Sequence, residues 1–145
     1  MIVREIMTPA PRVVGPDESV REVAHILEDE HIGAVIVLGE DDELQGLVTD
    51  RDIAIEVVAR NRDADSTSAG ELLNGGEVVT VHADDPVELA IETMKRHAVR
   101  RLPVLDGREL IGIVSQADLA RHANEGDVGE MVEAISAAPD NTGRS

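Results

Sequence analysis

Two stretches of the chain place a hydroxyl side chain three residues before a carboxylate. Ser115 precedes Asp118, and Thr49 precedes Asp52. Each pair follows a glycine and two aliphatic residues, a pattern typical of a buried strand that leads into the first turn of a helix. Such a junction presents free backbone N–H groups and the positive end of the helix dipole, and both favour a bound anion. The complete copies run from Gly112 to Leu119 and from Gly46 to Ile53.

The same four side chains have a second interpretation that needs no ligand. A hydroxyl and a carboxyl three residues apart have the spacing of a capping box, in which each side chain accepts a hydrogen bond from the other residue's backbone N–H. Capping signals are common and nucleotide sites are few, so one copy alone favours simple capping. The argument for a binding site depends on the repetition of the motif and on the residues around it.

Composition narrows the possible partners. The 145 residues include 30 acidic and 13 basic side chains, which gives a formal net charge of −17. Such a field repels phosphate backbones and anionic membranes, so we expect neither nucleic acid nor a membrane as a partner. Lys95 is the only lysine. An acid-rich, lysine-poor surface resembles those of proteins from salt-loving microbes, in which concentrated counterions screen the self-repulsion.

The residue types that are missing exclude several kinds of site. The chain has no Phe, Tyr or Trp, so a planar ligand must lie between aliphatic side chains and backbone, and aromatic stacking of single-stranded nucleic acid is excluded. It has no cysteine, which excludes disulfides, thiol catalysis and thiolate metal sites. The cytosol is the compartment that fits best, because no segment has the pattern of a signal peptide or a membrane span.

The elements that position the two motifs occur twice along the chain. In the first half the pattern predicts a short helical lead-in, a strand, a helix, two strands and a helix at 1–8, 12–14, 17–30, 32–38, 44–49 and 50–59. Asp17 is the predicted N-cap of the first long helix. Apolar spacing predicts that its buried face comprises Val20, Val23, Ala24 and Leu27. The strand at 32–38 is almost wholly apolar, which predicts burial on both faces.

The second half repeats this pattern at 71–74, 78–81, 84–97, 102–105 and 110–115. Val87 follows Val20 by 67 residues and Gly112 follows Gly46 by 66, so the halves differ by one residue in the turn between the paired strands. The sequence therefore predicts a mixed α/β (α+β) fold of two β-α-β-β-α repeats. Neither repeat has enough sequence to bury its aliphatic surface alone, so we expect the two to pack about a pseudo-two-fold axis.

Domain boundaries follow from these patterns. We predict a first repeat at 5–60, a polar linker at 61–70, a second repeat at 71–124, a C-terminal helix at 125–138 and a disordered tail at 139–145. The last helix has an apolar stripe that must be covered by its own domain or by a second chain. The stripe consists of Val128, Met131, Val132 and Ile135.

The repeated motif and its neighbours resemble a known family. Two copies of strand-helix-strand-strand-helix, each with Gly-aliphatic-aliphatic-Ser/Thr-x-x-Asp at the last junction, are similar to a tandem pair of CBS (cystathionine beta-synthase type) domains, a Bateman module. The likeness covers 5–122, and the motifs occur in order in both halves. The supporting stretches are Ile6-Met7-Thr8-Pro9, Ile32-Gly-Ala-Val-Ile-Val37 and Val99-Arg-Arg-Leu-Pro-Val104.

The resemblance implies regulatory binding of an adenosine-containing ligand in the cleft between the repeats. The candidates are AMP, ADP, ATP, NAD and S-adenosylmethionine. In the family the motif aspartate takes the ribose hydroxyls, and the Ser or Thr lies at the ribose-phosphate end, which carries these roles onto Asp52 with Thr49 and Asp118 with Ser115. The chemistry agrees, since a carboxylate accepts from two vicinal hydroxyls and a hydroxyl donates to a phosphate oxygen.

Arginines near the motifs are the candidates for holding a phosphate in so acidic a protein. Family members that hold nucleotide phosphates often have a basic pair where this chain has Arg100 and Arg101. The first copy has Gly33-Ala34-Val35 in the corresponding place and instead carries Arg51 inside its junction motif. We therefore expect two unequal sites. The alternative role of Arg100 and Arg101 is surface ion pairing with the abundant acids.

No metal site is predicted. The five histidines show no HxxxH or HExxH spacing. His97 lies near the arginine pair and has two interpretations, a phosphate contact or a helix C-terminal histidine favoured by the dipole. The acidic loop at 39–43 lacks the spaced oxygens and central glycine of an EF-hand and is more typical of a solvated turn.

Two functions from different classes remain. The first is a stand-alone sensor that binds an adenine nucleotide and relays its presence to an unknown regulated protein. The second is a ligand-free scaffold whose motifs only cap helices. An enzyme is not predicted, because no serine has a histidine and an acid at a suggestive spacing. The resemblance also implies a homodimer formed through helix faces.

Overall fold

The computed structural model describes residues 1–73, 75, 78–122 and 133–135. Its described residues form two compact units. The first-repeat unit comprises 12–73 with 75 and 78, and the second-repeat unit comprises 1–11, 79–122 and 133–135. Each unit has its own sheet and its own aliphatic core. The mixed α+β class and the predicted order of elements in both repeats are confirmed.

The first-repeat unit contains a three-stranded sheet of β2 (Val13–Val14), β3 (Ala34–Leu38) and β4 (Leu44–Thr49), in the order β2-β3-β4. β2 runs parallel to β3, and β3 pairs antiparallel with β4. The prediction of burial on both faces is confirmed for β3, in which three consecutive residues, Val35, Ile36 and Val37, have no exposed surface. The elements are β2 (Val13–Val14), α1 (Val20–Glu30), β3 (Ala34–Leu38), β4 (Leu44–Thr49) and α2 (Asp50–Ile53), which continues as a π-helical turn over Ala54–Val58.

The second-repeat unit contains a four-stranded sheet of β1 (Thr8–Pro9), β5 (Val81–His82), β6 (Arg101–Asp106) and β7 (Glu109–Ser115), in the order β1-β7-β6-β5. β5 runs parallel to β6, β6 pairs antiparallel with β7, and β1 adds an antiparallel edge strand. The elements are a 3-10 turn (Val3–Glu5), β1 (Thr8–Pro9), β5 (Val81–His82), α3 (Val87–His97), β6 (Arg101–Asp106), β7 (Glu109–Ser115) and α4 (Gln116–Ala120). The strand predicted at 78–81 is wrong in its bounds, since only its last residue lies in β5.

The start of α1 corrects the predicted cap. Asp17 lies in the preceding turn, and the N-cap is Ser19, whose Oγ accepts a hydrogen bond from the backbone N–H of Glu22 at 3.1 Å. The buried face also differs, because Ala24 is exposed and Ile26 is buried in its place. In α3 the predicted face of Val87, Ala90, Ile91 and Met94 is confirmed as buried.

The lead-in of each repeat packs in the unit of the other repeat. The first lead-in forms the 3-10 turn at Val3–Glu5 and then β1, which pairs with β7. The Val3 N–H donates to the Asp85 carbonyl at 2.9 Å. The matching contact in the first-repeat unit is the Ala69 N–H to the Glu18 carbonyl at 2.7 Å. The sequence predicts one or two helical turns for 1–8. It does not predict β1 at the end of this segment, because a strand of two residues is too short to show an alternating apolar pattern.

The predicted linker packs along the start of α1. The Thr67 carbonyl accepts from the Val20 N–H at 2.9 Å, and the Ala64 carbonyl accepts from the Arg21 N–H at 3.2 Å. Thr67 and Ala69 are buried. The segment 61–70 therefore contributes to the first-repeat unit through backbone hydrogen bonds, which its polar side chains did not indicate.

The predicted C-terminal helix and tail fall mostly outside the described residues, as do Val128, Met131 and Val132. Residues 133–135 are helical, and Ile135 is 1% exposed and packs in the core of the second-repeat unit. The stripe was expected to be covered either by its own domain or by a second chain, and Ile135 is covered by its own domain. Within the described ranges, none of the helices has the length and apolar character needed to cross a membrane.

Candidate functional site at the strand-to-helix junctions

The first-repeat junction lies where β4 ends at Thr49 and α2 begins at Asp50. Thr49 Oγ1 accepts from the Asp52 N–H at 3.0 Å, and Asp52 Oδ2 accepts from the Thr49 N–H at 2.9 Å. Both residues are buried, with Thr49 1% and Asp52 0% exposed. The capping-box interpretation of this copy is therefore confirmed.

The second-repeat junction has the same geometry at the end of β7. Ser115 Oγ accepts from the Asp118 N–H at 3.1 Å, and Asp118 Oδ2 accepts from the Ser115 N–H at 2.9 Å. Asp118 is 8% exposed, so its carboxylate lies nearer to solvent than that of Asp52. The two copies share their caps but differ in the access that a ligand would have.

The capping boxes limit what each junction can bind. In each copy, two of the backbone N–H groups that an anion would need are already matched by side chains. A carboxylate offers about four lone-pair sites on two oxygens, so a box hydrogen bond uses only part of the capacity of Asp118. The chemistry that suits such a junction is therefore acceptance of hydroxyl hydrogen bonds by the carboxylate.

The predicted arginine pair lies beside the second-repeat junction. The Arg100 carbonyl accepts from the Gln116 N–H at 2.8 Å, and Arg101 stands opposite Ser115 in the β6–β7 register. Arg100 is exposed and Arg101 is partly buried. The structure therefore brings both arginines to the same strand end as Ser115.

The first-repeat junction lacks a basic pair at the equivalent positions. The Gly33 carbonyl accepts from the Asp50 N–H at 3.1 Å, and Ala34 stands opposite Thr49 in the β3–β4 register. Gly33 and Ala34 are thus the structural counterparts of the arginine pair, as the sequence alignment of the halves indicated. The cation of this copy is Arg51, whose side chain is exposed and whose N–H donates to Asp50 Oδ1 at 2.8 Å.

A further cation, which the sequence reasoning missed, contacts the second-repeat junction. Arg121 Nη2 lies 2.6 Å from Asp118 Oδ1. Arg121 is the C-cap residue of α4 and lies three positions after Asp118, a spacing that favours ion pairs. The spacing between Asp118 and Arg121 was the available signal, and it extends beyond the repeated motif, which ends at Leu119.

A cavity lies away from these junctions. In the first-repeat unit, a cavity of about 480 Å³ is lined by the start of β4 and by the lead-in of the second repeat, including Leu44, Gln45, Gly70 and Leu73. It touches neither Thr49 nor Asp52.

Across the part of the chain that the structure describes, no group of three or more His, Asp or Glu side chains is arranged to hold a metal ion.

Comparison with protein families gives two matches in tandem. A family model described as the CBS domain matches residues 3–59 and 70–125. Hypoxic response protein 1 of Mycobacterium tuberculosis is 37% identical over 132 residues, which cover 91% of this chain and 92% of that protein. CBS domain-containing protein YhcV of Bacillus subtilis is 36% identical over 118 residues, which cover 81% of this chain and 82% of that protein.

Solved structures agree with the sequence matches. A crystal structure of Hypoxic Response Protein I with two coordinated zinc ions is 36% identical, covers 86% of this chain and 100% of that chain, and has a TM-score of 0.74. The CBS domain pair of protein MJ0100, in complex with 5′-methylthioadenosine and S-adenosyl-L-methionine, is 29% identical, covers 83% and 94% of the two chains, and has a TM-score of 0.73.

Proposed function

The chain belongs to the CBS-domain family as a tandem pair, a regulatory module, and on this basis we propose that it binds an adenosine-containing ligand and relays the bound state to a partner protein. The observation that carries the proposal is the second-repeat junction. There the arginine pair, a hydroxyl and a partly accessible carboxylate meet at one strand end. The carboxylate suits the ribose hydroxyls of any adenosine ligand, and the arginines and the hydroxyl suit the phosphate of a nucleotide.

In the proposed complex Asp118 accepts hydrogen bonds from the ribose hydroxyls. One of its oxygens is held by the Ser115 N–H at 2.9 Å, which fixes the orientation of the carboxylate before a ligand arrives. Preorientation of this kind reduces the entropy lost on binding. Ser115 and the guanidinium groups of Arg100 and Arg101 then serve the phosphate end of the ligand.

We propose that the first-repeat junction binds the ligand more weakly than the second-repeat junction does. Asp52 is fully buried, whereas Asp118 retains some exposed surface. The first copy also has Gly33 and Ala34 where the second has arginines. A ligand there would rely on Thr49, Asp52 and the exposed Arg51.

AMP, ADP and ATP are the ligands that the arginines favour, and NAD is a larger alternative of the same class. S-Adenosylmethionine also stays in the set, because the MJ0100 pair binds it together with 5′-methylthioadenosine. The proposed role is binding without catalysis. We propose that it needs no metal, although Hypoxic Response Protein I coordinates two zinc ions, so binding should be measured with and without zinc.

Titration calorimetry of the full chain with AMP, ADP, ATP, NAD and S-adenosylmethionine, in molar potassium chloride, tests the proposal. We expect saturable binding of at least one of these ligands, with a rise in melting temperature. Substitution of Asp118 should weaken binding more than substitution of Asp52. Absence of binding by all five would overturn the sensing function.

The second candidate function is a ligand-free scaffold. The observation that favours it is that both capping boxes are complete without a ligand. A scaffold would show no binding of the five ligands and would still associate with its partner. The calorimetric titration therefore separates the two functions.

We propose that the protein acts as a homodimer. The support is the resemblance to Bateman modules, which pair through helix faces. Leu89 on α3 and Val58 at the end of the π-helical turn are single exposed apolar side chains, with 43% and 69% of their surface accessible, and they are the proposed contact residues. Light scattering in molar salt measures the mass. A monomeric mass would exclude the homodimer and would leave the proposal of ligand binding unchanged.

A further inference from the structure

Arg121 belongs to the second-repeat junction through its contact with Asp118. Its Nη2 lies 2.6 Å from Asp118 Oδ1, while Asp118 Oδ2 accepts from the Ser115 N–H. Hydrogen bonds therefore connect the end of β7, the carboxylate and the guanidinium. A ligand that reaches the carboxylate of Asp118 also comes within reach of this guanidinium.

Asp118 and Arg121 differ in how far their side chains are exposed to solvent. The Asp118 side chain is 11% exposed and the Arg121 side chain 68% exposed. A guanidinium has five N–H donors, and the hydrogen bond to Asp118 Oδ1 uses one of them, on Nη2. Asp118 therefore anchors Arg121, and the solvent side of the guanidinium remains available to a second acceptor.

Charge indicates which acceptor fits. A phosphate placed beside Asp118 by its ribose would face a carboxylate within a protein of net charge −17, and like charges disfavour such an approach. Arg121 Nη2, at 2.6 Å from Asp118 Oδ1, offsets the charge of Asp118. Its planar fork also matches the oxygen spacing of a phosphate, which a single ammonium cannot do.

We infer that Arg121 is a specificity-determining residue of the second-repeat junction, which selects adenosine ligands that carry a 5′-phosphate over adenosine itself. This inference rests on the proposed function. The residue 66 positions earlier is Ile55, an aliphatic side chain that cannot make this contact. Selection through this position is therefore confined to the second repeat.

A purely structural ion pair is the competing explanation. The Arg121 side chain is 68% exposed, and ion pairs that face solvent contribute little to stability and need no ligand. In that case the loss of Arg121 would alter the affinities for phosphorylated and unphosphorylated ligands alike, or neither of them. The ratio of the two affinities therefore separates the explanations.

The test is titration calorimetry of the full chain with adenosine and with AMP, for the unsubstituted protein, Arg121→Ala, Arg121→Lys and Arg108→Ala. Arg108 is an exposed arginine in the β6–β7 turn, at the opposite end of the hairpin from Ser115. We expect Arg121→Ala to lower AMP affinity about tenfold or more, as for loss of a charge-assisted hydrogen bond, and to change adenosine affinity less than about threefold. Arg108→Ala should preserve both affinities.

Salt dependence gives a second readout. AMP binding by Arg121→Ala should weaken less steeply with rising potassium chloride than AMP binding by the unsubstituted protein, because one screened contact is gone. If Arg121→Ala does not fold, Arg121→Lys carries the test, since it keeps the charge but loses the fork and should lower the ratio of AMP to adenosine affinity. An unchanged ratio in the folded variants would overturn the inference. If the unsubstituted protein binds neither adenosine nor AMP but binds another of the five ligands, this inference is overturned and the proposed function stands. Absence of binding by all five ligands would instead overturn the proposed function.

Discussion

Met7 lies directly over Gly112, so closely that a Cβ added to this glycine would come within 2.5 Å of the Met7 Sδ atom and 3.0 Å of the Thr8 carbonyl oxygen. The matching pair in the other unit is Leu73 over Gly46, with 2.8 Å between the added Cβ and Leu73 Cδ2. The glycine that opens each motif therefore makes room for the lead-in of the opposite repeat. Its role is packing at the sheet, in addition to any part that the motif has in binding.

Gly112→Ala should destabilise the protein by about 1 to 3 kcal/mol, the usual cost of overpacking a close contact. Met7 has a flexible side chain that can move, but the Thr8 backbone is held by its pairing with Ile113 in β7. The clash is therefore only partly relieved. Urea unfolding with and without the substitution measures the loss.

Gly15→Ala is the matched control for this prediction. No heavy atom lies within 4 Å of a Cβ added at Gly15, so its effect should stay within about 0.5 kcal/mol. The double variant Met7→Ala with Gly112→Ala should show a favourable coupling, since the two residues are in contact. Equal effects of Gly112→Ala and Gly15→Ala would show that the lead-in does not constrain this glycine.

Periodic apolar patterns predicted the helices and central strands well, because burial of an apolar face determines them. Val87, Ala90, Ile91 and Met94 are all buried as predicted. The cap at Ser19 and the exposure of Ala24 were missed, since both depend on where the helix begins within a few residues, and several polar residues there can serve as caps.

The candidate site was predictable in part for a related reason. A repeated motif shows which side chains share a junction, and the strand register brings Arg100 and Arg101 to Ser115. The contact of Arg121 with Asp118 and the different burial of Asp52 and Asp118 arise from side-chain positions in three dimensions. The exchange of lead-ins joins residues far apart in the chain, such as Met7 with Gly112 and Leu73 with Gly46, which a local pattern cannot reveal.

Ala98→Gly should stabilise the protein by about 0.5 to 1 kcal/mol. Ala98 ends α3 in the left-handed conformation, with φ of 53°, where a Cβ costs roughly 1–2 kcal/mol and glycine avoids this strain. The matched control is Ala24→Gly on the exposed face of α1, which should cost about 1 kcal/mol because glycine is a poor helix former. Thermal unfolding of both variants gives the signs, and a loss of stability at both positions would contradict the prediction.

Glu71→Gln should reduce the acid sensitivity of folding. The Ser68 N–H, 2.6 Å from Glu71 Oε2, holds the pKa of this carboxyl below its ordinary value, with smaller contributions from the Ser68 side chain and Arg62. A lowered folded pKa adds stability above the unfolded pKa, about 4.3, which is lost as the pH falls through the folded value. Urea unfolding from neutral to acid pH should therefore show a shallower loss for Glu71→Gln. Glu22→Gln removes one acid from the same unit without touching Ser68, and an identical pH profile for both variants would exclude this linkage.

Arg100→Ala should weaken binding of AMP about tenfold while changing adenosine affinity little. Its carbonyl accepts from the Gln116 N–H at the start of α4, and its side chain is exposed. In the proposed complex the substitution removes a charge-assisted contact to phosphate. Calorimetry with the two ligands measures both affinities, and Arg108→Ala controls for the loss of one positive charge. Equal losses for AMP and adenosine would assign Arg100 to surface ion pairing or to the ribose end.

Asp118→Glu separates capping from binding at the same residue. Glutamate is the favoured partner of a capping box, so the melting temperature without ligand should be unchanged. The added methylene displaces the carboxylate relative to a bound ribose, which should lower AMP affinity roughly tenfold or more, because misplacement of about an ångström is costly. Asp52→Glu is the matched change, and there the fully buried position predicts a lower melting temperature through overpacking. If Asp118→Glu binds AMP as tightly as the unsubstituted protein, the ribose does not lie on this carboxylate, and the motif caps a helix and does nothing more.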